Sequence, residues 1–244
     1  MKTIVHVSIT FIILFPIFCL NGWSNPFTIE HLLQTAKNDY FAGDIQQYSS
    51  IADTVLAELP ENPTANILKG LALLESSKIQ DRLTAKEIIE KYARRLDNDA
   101  FALYAMGILY KKRNIPVSSR KYFEEALEYD ECLVPAMIEL GDYYYHQMLN
   151  YYHRYTDTEV ALSFRKYALE DYDYAVSYLR TALRCDPGNR EAANLLGALY
   201  YETAEYTLME HLFQEMLELY PEDMRLIQFL GLAYLSQNNT PVCM

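Results

Sequence analysis

Apolar residues recur along this chain at intervals of three and four, in stretches long enough for several helical turns, with short polar breaks between them. Leu32, Leu33, Ala36 and Tyr40 form one set, and Ile51, Ala52, Val55 and Leu56 the next. Later sets are Tyr122, Phe123, Ala126 and Leu127, then Tyr178, Leu179, Ala182 and Leu183, then Leu212, Phe213, Met216 and Leu217. Such spacing places one apolar stripe on each helix. The pattern predicts an all-α chain of amphipathic helices, each of which must bury its stripe against a neighbour.

The stripes come in pairs, and glycine marks the first member. Gly70, Gly107, Gly141, Gly197 and Gly231 sit in near-identical settings, and Ala36 holds the same slot earlier. The steps between these anchors are 34, 37, 34, 56 and 34 residues. A mid-helix glycine costs about 1 kcal/mol relative to alanine. Its repeated use predicts two helices too close together for a side chain between them. Gly43 lies outside the series. Pro60, Pro187 and Pro221 each stand ten residues before the next anchor, where proline ends a second helix and opens the following turn.

These residues resemble the tetratricopeptide repeat (TPR). The resemblance is clearest at Leu103, Met106, Gly107, Tyr110, Phe123 and Ala126, and again at Leu196, Gly197, Tyr200, Phe213 and Pro221. It spans about Thr28 to Gln237. Departures are the missing early tryptophan, Ala36 in place of the first glycine, and Asp97 and Glu131 in place of two prolines. The resemblance implies a right-handed α-solenoid of helix pairs, about five repeats plus a terminal helix. The pairs fall at about 28–60, 62–97, 99–131, 133–186 and 188–221, and the last helix at about 223–237. That helix keeps the marks of a first helix. Either it caps the array or the chain belongs to a longer one.

The 56-residue step holds 22 residues more than the period, roughly Met148 to Leu169. Eleven residues complete about three helical turns, so an even split lengthens both helices and keeps them facing. A hairpin at about 134–184 would then project about 16 Å beyond its neighbours, turning near Thr156, Asp157, Thr158 and Glu159. Tyr151, Tyr152, Tyr155, Phe164 and Tyr167 lie on it. Two uses fit these rings: packing the long hairpin on itself, or forming an interaction arm.

Residues 1–24 are a separate object. Lys2 precedes an apolar run without formal charge from Ile4 to Leu20, the layout of a secretory signal peptide. Gly22 and Ser24 suit a cleavage site, which leaves Asn25 as the first residue of a 25–244 solenoid. The alternative is an uncleaved anchor over residues 4–20. Phe18 before Cys19 argues against acylation of that cysteine. Either reading exports the body of the protein, to a periplasm or out of the cell. Cys132, Cys185 and Cys243 remain. Their spacing is neither a disulfide framework nor a zinc motif, and it leaves open whether any two pair.

Composition narrows the function. Hydrophobic residues make up 51% and charged residues 22%, which excludes a disordered chain. The formal net charge of −12 argues against a nucleic-acid partner. His146 and His153 share a helix face but lack a third ligand. No phosphate-binding glycine loop and no hydrolase or metalloprotease motif occurs. No enzyme, cofactor or metal is expected. What the resemblance implies is a non-catalytic scaffold that binds a protein or peptide segment along a concave groove. The alternative is a regulatory or targeting segment of a larger enzyme. Carried over position by position, the groove falls to Tyr40, Tyr104, Ile108, Lys111, Lys112, Asp142, Tyr145, Asn194 and Tyr201. It is an aromatic and aliphatic surface with a short basic step at Lys111 and Lys112. The lysine/asparagine clamp that chaperone-binding TPRs use for a terminal carboxylate is missing at these slots.

Overall fold

The computed structural model describes residues 26–154 and 160–239, and every regular element among them is a helix. In order these are α1 (Pro26–Phe41), α2 (Ile45–Glu58), α3 (Pro63–Leu74), α4 (Ile79–Ala93), α5 (Ala100–Lys112), α6 (Pro116–Tyr129), α7 (Val134–Arg154), α8 (Val160–Cys185), α9 (Arg190–Glu202), α10 (Tyr206–Leu219) and α11 (Met224–Asn239). Consecutive helices pack as antiparallel pairs. The first helices of neighbouring pairs also touch, α1 on α3, α3 on α5 and α7 on α9. They form one continuous layer, and the second helices form the other.

Local chemistry fixes where the helices begin. Eight residues before an anchor glycine stands Asn62, Asp99 or Asn189, and the side-chain oxygen of each accepts a backbone N–H of the first turn at 2.7–3.0 Å. These caps satisfy amides that have no partner inside the helix. Seven residues after the anchor position the chain turns into the second helix. There Gly43 (φ 80°), Asn114 (φ 57°) and Ala204 (φ 58°) take the left-handed conformation. Gly43 is therefore a turn residue that a side chain would strain.

The glycine slots are close contacts between paired helices. An added Cβ would approach Ile89 at Gly70 and Leu179 at Gly141 to within 2.6 Å, and Phe123 at Gly107 and Phe213 at Gly197 more closely still. Ala36 is fully buried in the first pair. Gly231, on the terminal helix, differs: among the described residues an added Cβ there meets nothing within 4 Å. Its position in the sequence pattern matches the others, but no second helix lies over it among the described residues.

Between repeats, a tyrosine three residues after the glycine reaches back to the second helix of the pair before it. The Tyr144 hydroxyl accepts from Arg120 and donates to Glu124, each at 3.0 Å. Arg180 donates to the Tyr200 hydroxyl at 2.9 Å, and Gln214 to Tyr234 at 3.0 Å. These bonds fix how each pair sits on the last. Inside one pair, the buried Ser119 donates to the Gly107 carbonyl at 2.9 Å.

The pair α7–α8 is longer than the rest, at 21 and 26 residues against 12 to 16 elsewhere. A disulfide joins Cys132, just before α7, to Cys185, the last residue of α8, with Cα atoms 5.7 Å apart. It closes the base of the hairpin. Further out, the rings of Tyr151 and Tyr167 lie 6.3 Å apart across the two helices, so part of the aromatic set packs the hairpin on itself. Tyr155 and the turn at 156–159 lie outside the described residues, and so do the side chains of Tyr152 and Phe164. Asp171 of α8 is half-buried. Burial, with the charge of Glu170 added, pushes its carboxyl up to about 6 although Arg120 opposes the shift.

Candidate functional site

The layer of first helices curves around a concave pocket of about 820 Å³. Its floor is aromatic because α1 and α5 both place rings on this side. Tyr40 stands edge-on to Phe41, Tyr48 and Tyr104 at centroid distances of 5.3, 5.4 and 6.2 Å. Phe41 meets Phe101 at 5.9 Å and Tyr104 at 5.5 Å. Edge-to-face pairs of this kind are favourable for rings and hold them in place. Burial raises the hydroxyl pKa of Tyr40 and Tyr104, and pushes that of Tyr48 up to about 12. The floor is therefore neutral at any physiological pH. Phe41 remains 39% exposed and offers its ring to the pocket.

Ion pairs form the wall. Lys112 reaches Glu75, the residue that caps the end of α3, at 2.9 Å. Lys111 pairs with Glu139 on α7 and lies 3.7 Å from Asp142. Burial works against the Lys111 ammonium, but the hydrogen bond and charge of Glu139, with Asp142 behind it, outweigh that and raise its pKa. The Glu139 carboxyl is more deeply buried, and desolvation lifts its pKa despite Lys111. On the rim, Lys37 lies over the Phe101 ring at 4.9 Å. The basic step seen in the sequence is thus neutralised across helices, and neither lysine of it is a free cation. Asp186 and Glu191 add two further carboxylates to the lining.

Tyr40, Tyr104, Ile108, Lys111 and Lys112 all line this pocket. Asp142 instead lines a smaller one of about 280 Å³ beyond the Lys111–Glu139 pair, where its carboxylate lies 3.2 Å from His146 Nδ1. Tyr145 is half-buried against the core. Tyr201 is 40% exposed and packs near Tyr206 at 5.9 Å. The side-chain oxygen of Asn194 is buried and accepts no hydrogen bond from the protein. Ile67 and Leu71, which stand to Gly70 as Tyr104 and Ile108 stand to Gly107, are core residues.

The lining contributed by Pro135, Glu139 and Glu191 was missed by reasoning from the family slots. Pro135 and Glu191 each stand six residues before an anchor, as does Phe101, which backs Phe41. That is one turn earlier than a slot already read as inward, and hence on the same helix face. Among the described residues, no three His, Cys, Asp or Glu side chains converge to hold a metal ion. No helix among them is long and apolar enough to cross a membrane.

No protein-family profile matches the chain, and no curated protein sequence does. Solved structures resemble it in fold. A thermophilic TPR protein of Thermus thermophilus superposes with a TM-score of 0.56 at 16% identity, over 85% of this chain and 99% of that one. PilW, described as a widely conserved type IV pilus biogenesis factor, gives 0.56 at 17% identity, over 88% and 92%. Yeast Tom70 gives 0.56 at 14% identity, over 86% of this chain and 40% of its own. The fold is a TPR solenoid.

Proposed function

We propose that this protein is a non-catalytic scaffold, acting outside the cytoplasm, that holds an extended segment of another protein in its concave groove. The aromatic floor carries the reading. A pocket floored by Tyr40, Phe41, Tyr104 and Ile108 presents rigid apolar area at low entropic cost, while its two lysines are already engaged by carboxylates. A segment bearing aromatic or aliphatic side chains suits that surface. An acidic tail does not, because it would have to displace Glu75 or Glu139. Two features support export. One is the uncharged run after Lys2, read as a leader cut after Ser24. The other is the Cys132–Cys185 disulfide, a bond that persists in oxidising compartments.

Selection from a display library of linear peptides tests the groove. Enriched sequences should carry aromatic and aliphatic residues, and Phe41→Asp should abolish their binding while the chain still folds, with a melting temperature lowered only by the loss of its ring contacts. Enrichment of acidic C-terminal peptides that depend on Lys111 and Lys112 would overturn the proposal. N-terminal sequencing of the exported protein tests the leader: a start at or near Asn25 supports cleavage, and an intact Met1 in the membrane fraction contradicts it.

A further inference from the structure

Four anchor glycines are each covered by a bulky apolar side chain of a second helix: Ile89, Phe123, Leu179 and Phe213. The fifth slot, at Gly231, is open among the described residues. Its helix is nonetheless firmly seated on the opposite side. Leu226 and Ala233 of α11 are buried, Phe229 stacks on Phe213 at 5.0 Å, and Gln237 donates to Glu210 at 2.8 Å. The free face has the shape of a first helix awaiting its pair, and it is apolar. Met224 and Leu235 are each 64% exposed, with Ile227 between them.

Leu235 follows Gly231 by four residues, so slot and knob share one strip of the helix. Leucine is also the residue type that fills the Gly141 slot. A surface carrying both an open slot and a matching knob is self-complementary. If two such helices run antiparallel about a two-fold axis, Leu235 of each copy lies over Gly231 of the other. Charge does not oppose this. Arg225 is the only charged residue between Met224 and Asn239. The face therefore avoids the repulsion that a net charge of −12 would otherwise bring to self-contact.

We propose that α11 is a self-association face, through which two copies of the chain dock antiparallel with Leu235 of one entering the slot at Gly231 of the other. The missing side chain at 231 lets the helix axes approach, and the contact centre holds no ion that must be desolvated. The face lies on the opposite side of α11 from α10, away from the α1–α5 floor.

Sedimentation velocity of the full chain across a concentration series tests this, with circular dichroism melts of every variant. A reversible monomer–dimer equilibrium is expected. Leu235→Glu and Gly231→Phe should each weaken it by roughly tenfold or more and leave the melt in place. Gly231→Phe discriminates: it fills the slot with a large apolar ring, so association through mere stickiness would be strengthened. Ile79→Glu, at a 70% exposed position on α4, should change nothing. A chain that stays monomeric at all concentrations overturns the proposal. So does a dimer that withstands Leu235→Glu, as one held by residues 4–20 would, or one that tightens with Gly231→Phe. Should Gly231→Phe prove to misfold, Leu235→Glu decides alone.

Discussion

A methyl group at Gly107 would collide with the ring of Phe123, which is itself buried, whereas a methyl group at Gly231 would meet none of the described residues. The same substitution should therefore act with opposite signs. Gly107→Ala forces a packed ring to move and should cost about 1–3 kcal/mol. Gly231→Ala relieves a helix of its least favourable residue and should add up to about 1 kcal/mol. Denaturant titrations at dilutions where the chain is monomeric will separate them, and equal effects would refute the account of the slots. Capping gives a second test at this scale. Asn189→Ala removes the acceptor of the Ala192 amide and should destabilise by about 1 kcal/mol. In its local sequence Gly231 matches Gly197, and only its place on the terminal helix sets it apart. Both stand in Leu-Gly with a tyrosine three residues on, but a slot belongs to two helices and only one of them is written at that position. Gly43 misleads in the other direction. It lies outside the anchor series and so shows no packing role, yet its φ of 80° makes it a turn residue. Periodicity reports which face a residue occupies and is silent on backbone angle.

The elements themselves were readable, because pairs of apolar stripes at a 34-residue period leave few other packings open. What could not be read is how the long pair closes. Cys132 and Cys185 are 53 residues apart, and only when α7 and α8 run antiparallel do the two ends meet. The bond constrains the unfolded chain across that loop. Replacing both cysteines by serine should lower stability by about 2–4 kcal/mol under oxidising conditions and by nothing under reducing ones. A loss that persists in reductant would point to packing by the sulfur atoms instead. Asp171 makes the same hairpin sensitive to pH. Its carboxyl titrates at about 6 in the fold against an ordinary 3.8, so the folded state resists its ionisation. The resulting cost is absent below 3.8 and grows as pH rises to about 6. Asp171→Asn should accordingly raise the melting temperature at neutral pH, with the gain shrinking as pH falls through that window. A gain that is independent of pH would mean that charge is not its cause.

Across the whole molecule, each pair is supported by the pairs on either side, and the terminal helices have support on one side only. Amide exchange should be slowest in α5, whose residues from Phe101 to Leu109 are buried except for Leu103, and fastest in α1 and the free face of α11. Uniform protection would show that the array unfolds as one unit. The groove is a property of this scale too, which explains why its charge was misjudged. Lys111 and Lys112 are adjacent in sequence and look like a basic step, but their partners Glu139 and Glu75 come from repeats on either side. Adjacency in the chain says little about neutralisation between helices. The bond at the base of the long hairpin also alters how the molecule would bear a load. A solenoid pulled by its two ends lengthens like a spring as its pairs peel away one by one. Here tension arriving at Cys132 would pass straight to Cys185, and the intervening hairpin would hang outside the line of force. A stretched chain should stop about 180 Å short of its full contour until a reductant releases the remainder.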